Sequence, residues 1–294
     1  MTAQAFFLPG SAPQPSLPGE PDQRFCLFHP AQAAVPRGLV VHAPAFGEEM
    51  NKARRMVNSQ ARDLALQGFS VLQIDLLGTG DSSGDFGAAT WQAWVQDLCA
   101  AVRWLRARDA AHASAPLWFW GLRAGCLLAA EAAAALGEPC NFGFWQPPAA
   151  GKTLLQQFLR LKVAAEMMDG GAKGAMEQMK QALAAGDAVE IAGYLLGAGL
   201  ARGLEAARLA PPPFAPGRVA WLELASQPDA APSPVSAKAI AEWREAGWQV
   251  DVQSVQGPSF WQTAEIEEVP ALLARTAECL LATPDRGGRT ANTV

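Results

Sequence analysis

Gly121-Leu122-Arg123-Ala124-Gly125 has the spacing of a nucleophile turn, Gly-x-Nuc-x-Gly, with arginine in the nucleophile's place. An apolar stretch, Pro116 to Trp120, runs into it as a strand, and an Ala/Leu-rich stretch, Cys126 to Leu136, leaves it as a helix. The flanking glycines permit the sharp bend. A guanidinium stays cationic and cannot attack a carbonyl. At a helix N-terminus it could grip a carboxylate or phosphate in two hydrogen bonds, or it could pair with a nearby acid. Burying it alone would cost several kcal/mol, so one of the two is required.

The other groups of an acyl-transfer site would stand at neighbouring strand ends. The base is expected after the last strand, where the chain reads Gln256-Gly257-Pro258-Ser259-Phe260-Trp261. Ser259 stands nearest to that position, and serine cannot shuttle a proton at neutral pH. Of the three histidines, His29 falls in an N-terminal hairpin and His112 in an Ala/Ser-rich surface loop. His42 ends a central strand, either as a cleft base or as a hydrogen-bonded strand end. Asp229 occupies the acid position, free to pair with Arg123 or to remain solvated. Pro44 lacks an N–H, so Ala45 or Phe46 would donate to an oxyanion. Glu48 and Glu49, at a loop-to-helix junction, could reach Arg123 or join His42 in activating water. Arg123, Ala45, Phe46, Glu48 and Ala124 are the candidate ligand-binding residues. Cys126, just inside the helix, reads as core, with no histidine to activate it. The Gly78–Ser82 loop lacks a P-loop lysine and reads as scaffold.

Strand and helix patterns alternate around these positions. The near-continuous apolar strands predict an α/β fold, a mostly parallel doubly wound sheet with an inserted helical cap, and the strand–turn–helix at Gly121–Gly125 resembles that of the α/β-hydrolase fold. Residues 22–149 and 214–282 are expected to form the core, and residues 150–213 an all-helical cap over a cleft. Within the cap, Gly170-Gly171 is expected to break one helix, and Val189 to Leu209 to add another. Residues 1–21 and 283–294 are expected to be irregular, with a frayed tail from Thr283.

Composition narrows the partners. The net charge of −5, without a basic run, gives no support to nucleic-acid binding. Five well-separated cysteines without CxxC spacing read as buried thiols in a reducing cytoplasm, not as a disulfide framework or zinc site. The N-terminus lacks the basic and apolar regions of a signal peptide, and no apolar run is long enough to span a membrane. Neither metal nor cofactor is expected.

Four strings carry a resemblance: His42 to Lys52, Asp75 to Phe86, Trp118 to Arg123, and Phe260 to Ile266. Together they resemble the exosortase A system-associated hydrolase 2 family, over Phe6 to about Leu281. The resemblance implies the α/β-hydrolase superfamily and a bacterial setting of exopolysaccharide production and PEP-CTERM protein sorting. Arg123 and Ser259 depart from the superfamily's triad, so the triad roles do not carry over. Three functions follow as expectations. The first is a capped cleft binding a small anionic acyl- or saccharide-type molecule without serine hydrolysis. The second is an atypical ester or thioester hydrolase using His42 with Glu48 or Glu49. The third is a non-catalytic protein partner in an exopolysaccharide assembly.

Overall fold

The computed structural model describes residues 2–10, 21–168, 174–227 and 229–282. Residues 11–20 of the N-terminal segment expected to be irregular, the expected Gly170-Gly171 break and the tail from Thr283 lie outside the described residues. Eight strands form one sheet: β1 (Gln4–Pro9), β2 (Gln23–His29), β3 (Gly38–Ala43), β4 (Phe69–Ile74), β5 (Leu117–Leu122), β6 (Asn141–Trp145), β9 (Arg218–Ala225) and β10 (Gln249–Gln256). A separate hairpin pairs β7 (Val189–Ile191) with β8 (Tyr194–Leu196). The sheet order is β1-β2-β4-β3-β5-β6-β9-β10. Antiparallel pairing links β1 to β2 and β2 to β4, and every other neighbouring pair is parallel. The central strands β3 and β5 are buried along their whole length, which is why they read as unbroken apolar runs.

Helices α1 (Glu48–Leu66), α2 (Trp91–Arg106), α3 (Ala110–Ser114), α4 (Ala124–Leu136), α8 (Pro234–Glu245) and α9 (Pro270–Leu281) flank the sheet. Met56, Val57, Ala61 and Leu64 of α1 share one core cluster with Leu272 and Leu280 of α9. Trp94, Leu98 and Val102 of α2 share the other with Leu127 and Leu128 of α4. The Thr90 side chain caps α2 by accepting from the Ala93 N–H.

Between β6 and β9 the chain leaves the sheet. It forms α5 (Gly151–Met168), α6 (Ala175–Ala185), the β7–β8 hairpin and α7 (Ala198–Ala206). The segment is therefore not all-helical. Ala192 and Gly193 both have positive φ, 48° and 85°, the two-residue geometry that closes a hairpin. The helical reading of Val189 to Leu209 holds only for α7. Residues 1–21 are not wholly irregular either: Gln4–Pro9 pairs residue for residue with Gln23–Phe28, and Phe6 stacks on Trp104 at 4.3 Å. His112 lies in α3, whose N-cap is Asp109, and not in a loop.

Candidate functional site at the carboxyl ends of the strands

The bend at Arg123 is real. Arg123 has φ 55° and ψ −117°, a conformation that costs a non-glycine residue about 1–3 kcal/mol. Its neighbours hold it there. A Cβ on Gly125 would lie 2.0 Å from the Ala43 carbonyl oxygen, and one on Gly121 2.6 Å from the Cys126 nitrogen. Only glycines let β5, α4 and the end of β3 close to this distance. The Arg123 N–H donates to Trp145 O at 3.0 Å, and the Cys126 N–H to Arg123 O at 3.0 Å.

The guanidinium has found an acid. Arg123 Nη2 donates to Glu49 Oε1 at 3.2 Å, and Nε lies 3.4 Å from both Glu49 oxygens. Nη2 also donates to Gln157 Oε1 at 2.8 Å. Gln262 Nε2 reaches the same Glu49 oxygen at 3.3 Å, and the Trp261 ring centroid lies 5.7 Å from the Arg123 guanidinium carbon. The pair is largely withdrawn from water, with side-chain exposures of 11% and 20%. Glu49 lies in the first turn of α1, where a carboxylate is favoured, and it offsets the cost of a cation at the N-terminus of α4.

Glu48 turns elsewhere. Its Oε2 accepts from Tyr194 Oη and from Asn51 Nδ2, each at 3.0 Å. Tyr194, the single tyrosine of the chain, belongs to β8. Burial, then Glu48, push its hydroxyl up to about 12, so it stays a donor. Phe158 of α5 packs edge-on against Phe46 at 5.0 Å between ring centroids. A cavity of about 520 Å³ lies between these elements, and Lys52, Leu154, Leu161 and Ala192 complete the wall with Phe46, Glu48, Glu49, Gln157, Phe158, Trp261 and Gln262. Lys52 Nζ donates to Thr263 O at 2.9 Å.

Several candidates stand apart from this cleft. His42 is buried, its Nδ1–H donating to Trp120 O at 3.0 Å and its ring 4.4 Å from that of Trp120. It borders a cavity of only about 30 Å³, together with Ala45, Arg54 and Asp75. Burial pushes its pKa down to about 3. The structure thus does not bring His42 to Glu48 or Glu49, and the water-activating set of the second expectation is not assembled. Ser259 is exposed, and its carbonyl accepts from the Gln262 N–H. Asp229 is exposed in a positive-φ turn, with no ion pair among the described residues, and does not meet Arg123. Ala124 is buried in the first turn of α4. The Cys126 thiol is buried against Gly121 O, and burial raises its pKa. Asp75 Oδ2 accepts from Arg54 and from the Asp81 N–H, which ties the Gly78–Ser82 loop down as scaffold.

Gln157, Trp261, Gln262 and Tyr194 are the partners that reading the sequence missed. Trp261 and Gln262 follow Ser259 closely in the chain, and their types, a large ring and a neutral amide, were the available signal. Among the described residues, no group of three His, Cys, Asp or Glu could hold a metal ion, and no helix is long and apolar enough to cross a membrane.

Comparison with known proteins agrees with this fold. The family model "serine aminopeptidase, S33" matches residues 34–145, less than half of the chain. No curated protein sequence matches. Among solved structures, Est1E from Butyrivibrio proteoclasticus, bound to ferulic acid, superposes with a TM-score of 0.62 at 16% identity, over 88% of this chain and 94% of that one. An α/β serine hydrolase without a lid from Xanthomonas campestris gives 0.51 at 18% identity, over 96% and 97%. Mouse alpha/beta hydrolase domain-containing protein 10 gives 0.54 at 17% identity, over 94% and 98%. With this strand order and the bend at Arg123, the chain has the α/β-hydrolase fold.

Proposed function

We propose that the cleft at the strand carboxyl ends is a binding site without a serine triad, and that it takes an acyl-type molecule with an anionic end. The observation that carries this reading is the Arg123–Glu49 pair, which fills the nucleophile's position with a cation held in place by a carboxylate. Six of the cleft's lining residues (Phe46, Leu154, Phe158, Leu161, Ala192 and Trp261) are apolar, which favours an acyl chain over a saccharide. Lys52 and the Arg123 guanidinium, which still has Nη1 without a hydrogen bond among the described residues, supply charge for the anionic end. Residues 150–213 act as the cap, since Phe158 and Tyr194 form one wall. The resemblance to the exosortase A system-associated hydrolase 2 family supports a role in exopolysaccharide metabolism in the cytoplasm.

Calorimetric titration with dodecanoate, methyl dodecanoate and a neutral disaccharide tests the reading. Dodecanoate is expected to bind about tenfold more tightly than its methyl ester, the effect of one charge-assisted contact, and Arg123→Met to erase the difference. Failure of both acyl compounds to bind, or tighter binding of the disaccharide, overturns it.

A further inference from the structure

A second constellation lies at the opposite ends of the strands. Ser70 is the second residue of β4, and its Oγ is 3.0 Å from His112 Nε2. His112 Nδ1 is 2.8 Å from Asp109 Oδ1, which also accepts the His112 backbone N–H at 2.9 Å. Those bonds from His112 hold the Asp109 carboxyl below its ordinary range, so Asp109 has no proton to offer. Nδ1 therefore carries the ring proton, Nε2 presents a lone pair, and the Ser70 hydroxyl donates to it. Hydroxyl, imidazole and carboxylate stand in the order in which an imidazole takes a hydroxyl's proton.

The surroundings are those of a small site. A cavity of about 400 Å³ borders Ser70, His112 and Asp109, with Phe28, Ala31 and Pro36 on its walls. Arg108 stands at the same cavity, its guanidinium 4.3 Å over the Phe28 ring. The Ala31 N–H donates to Ser70 Oγ at 3.4 Å, which leaves the Ser70 hydroxyl proton directed at His112 Nε2. Ser70 is itself buried, so only a small group entering through the cavity can reach Oγ. No residue of this cavity lines the cleft at Arg123.

We propose that Ser70, His112 and Asp109 form a second, nucleophilic site that hydrolyses esters of short acyl groups. Ser70 Oγ bonds to the carbonyl carbon as its proton passes to His112 Nε2. The C–O bond to the alcohol then breaks, and the alcohol leaves with that proton. Water attacks the acyl-serine and gives a proton to Nε2. The carboxylic acid departs as Ser70 takes its proton back.

Reaction of the folded protein with diisopropyl fluorophosphate tests this directly, since the Ser70 oxygen would displace fluoride. Peptide mapping is expected to find one adduct, on Ser70, absent from Ser70→Ala. His112→Gln, checked for folding by its melting curve, should slow labelling about 100-fold, the ordinary contribution of a general base. Turnover should favour p-nitrophenyl acetate over the decanoate. Wild-type protein with no Ser70 adduct, or His112→Gln labelled at the wild-type rate, overturns the proposal and leaves a structural hydrogen-bond chain in its place.

Discussion

The two ends of the sheet contrast in what their backbone and side chains offer. At the carboxyl ends a strained turn, locked by Gly121 and Gly125, aims Arg123 into a partnership with Glu49 and Gln157. At the amino ends a regular strand position carries Ser70, with an imidazole and a carboxylate behind it. The bend alone confers no chemistry. The side chain on it and that side chain's partners decide whether the place reacts or only holds. The strained turn is held here because three elements need its close approach for packing.

Substitutions can break or sharpen this contrast. The largest stability effect is expected from Gly125→Ala, whose new Cβ would lie 2.0 Å from the Ala43 carbonyl oxygen. A loss of about 3 kcal/mol or more in urea unfolding is expected, at the upper end of overpacking costs. Glu49→Ala should follow, at about 2 kcal/mol, because it strands a largely buried guanidinium. Adding Arg123→Ala to Glu49→Ala should restore part of the loss, and the double-mutant cycle should give a coupling of about 1 kcal/mol or more. If the two losses add, the pair does not hold the elbow.

A pH effect comes next. His42 takes its proton only near pH 3 when folded, against 6.5 for an exposed imidazole, because burial opposes the charge. Its contribution is complete above pH 6.5 and is lost as pH falls toward 3, with a slope of up to about 1.4 kcal/mol per pH unit. Asp97, which burial pushes up to about 6, works in the opposite direction as pH falls below that value. His42→Gln should therefore flatten the acid limb of urea-unfolding stability by about one proton relative to wild type. An unchanged slope would mean that His42 is charged in the fold. The smallest effect is expected from Phe158→Ala, which removes one ring from the cleft wall and should weaken dodecanoate binding about tenfold, with Ser70 labelling unchanged.

Much of the fold was legible in the sequence, because buried parallel strands such as Val40-Val41 and Trp118-Phe119-Trp120 are apolar on both faces. Gln4–Pro9 escaped because an edge strand needs a partner more than a pattern, and its partner lies beyond a Pro-rich stretch. The β7–β8 hairpin escaped because its Ala- and Gly-rich surroundings share composition with helices, while the turn signal is only Ala192-Gly193. At the cleft, Glu49 was among the candidates, since acids open α1. Gln157 and Tyr194 were not, because their approach depends on how the inserted segment packs. Ser70, His112 and Asp109 are scattered over 40 residues of chain and lie at the strand ends where this fold is not expected to react. The seating of α3, capped by Asp109, against the start of β4 brings them together.

Ester hydrolysis by the Ser70→Ala variant tests the central claim most directly. With p-nitrophenyl acetate and p-nitrophenyl decanoate, the account predicts no turnover above buffer for either ester, because the cleft at Arg123 binds and does not cleave. Residual turnover that Arg123→Met or Glu49→Ala then abolishes would place catalysis at the elbow and contradict it.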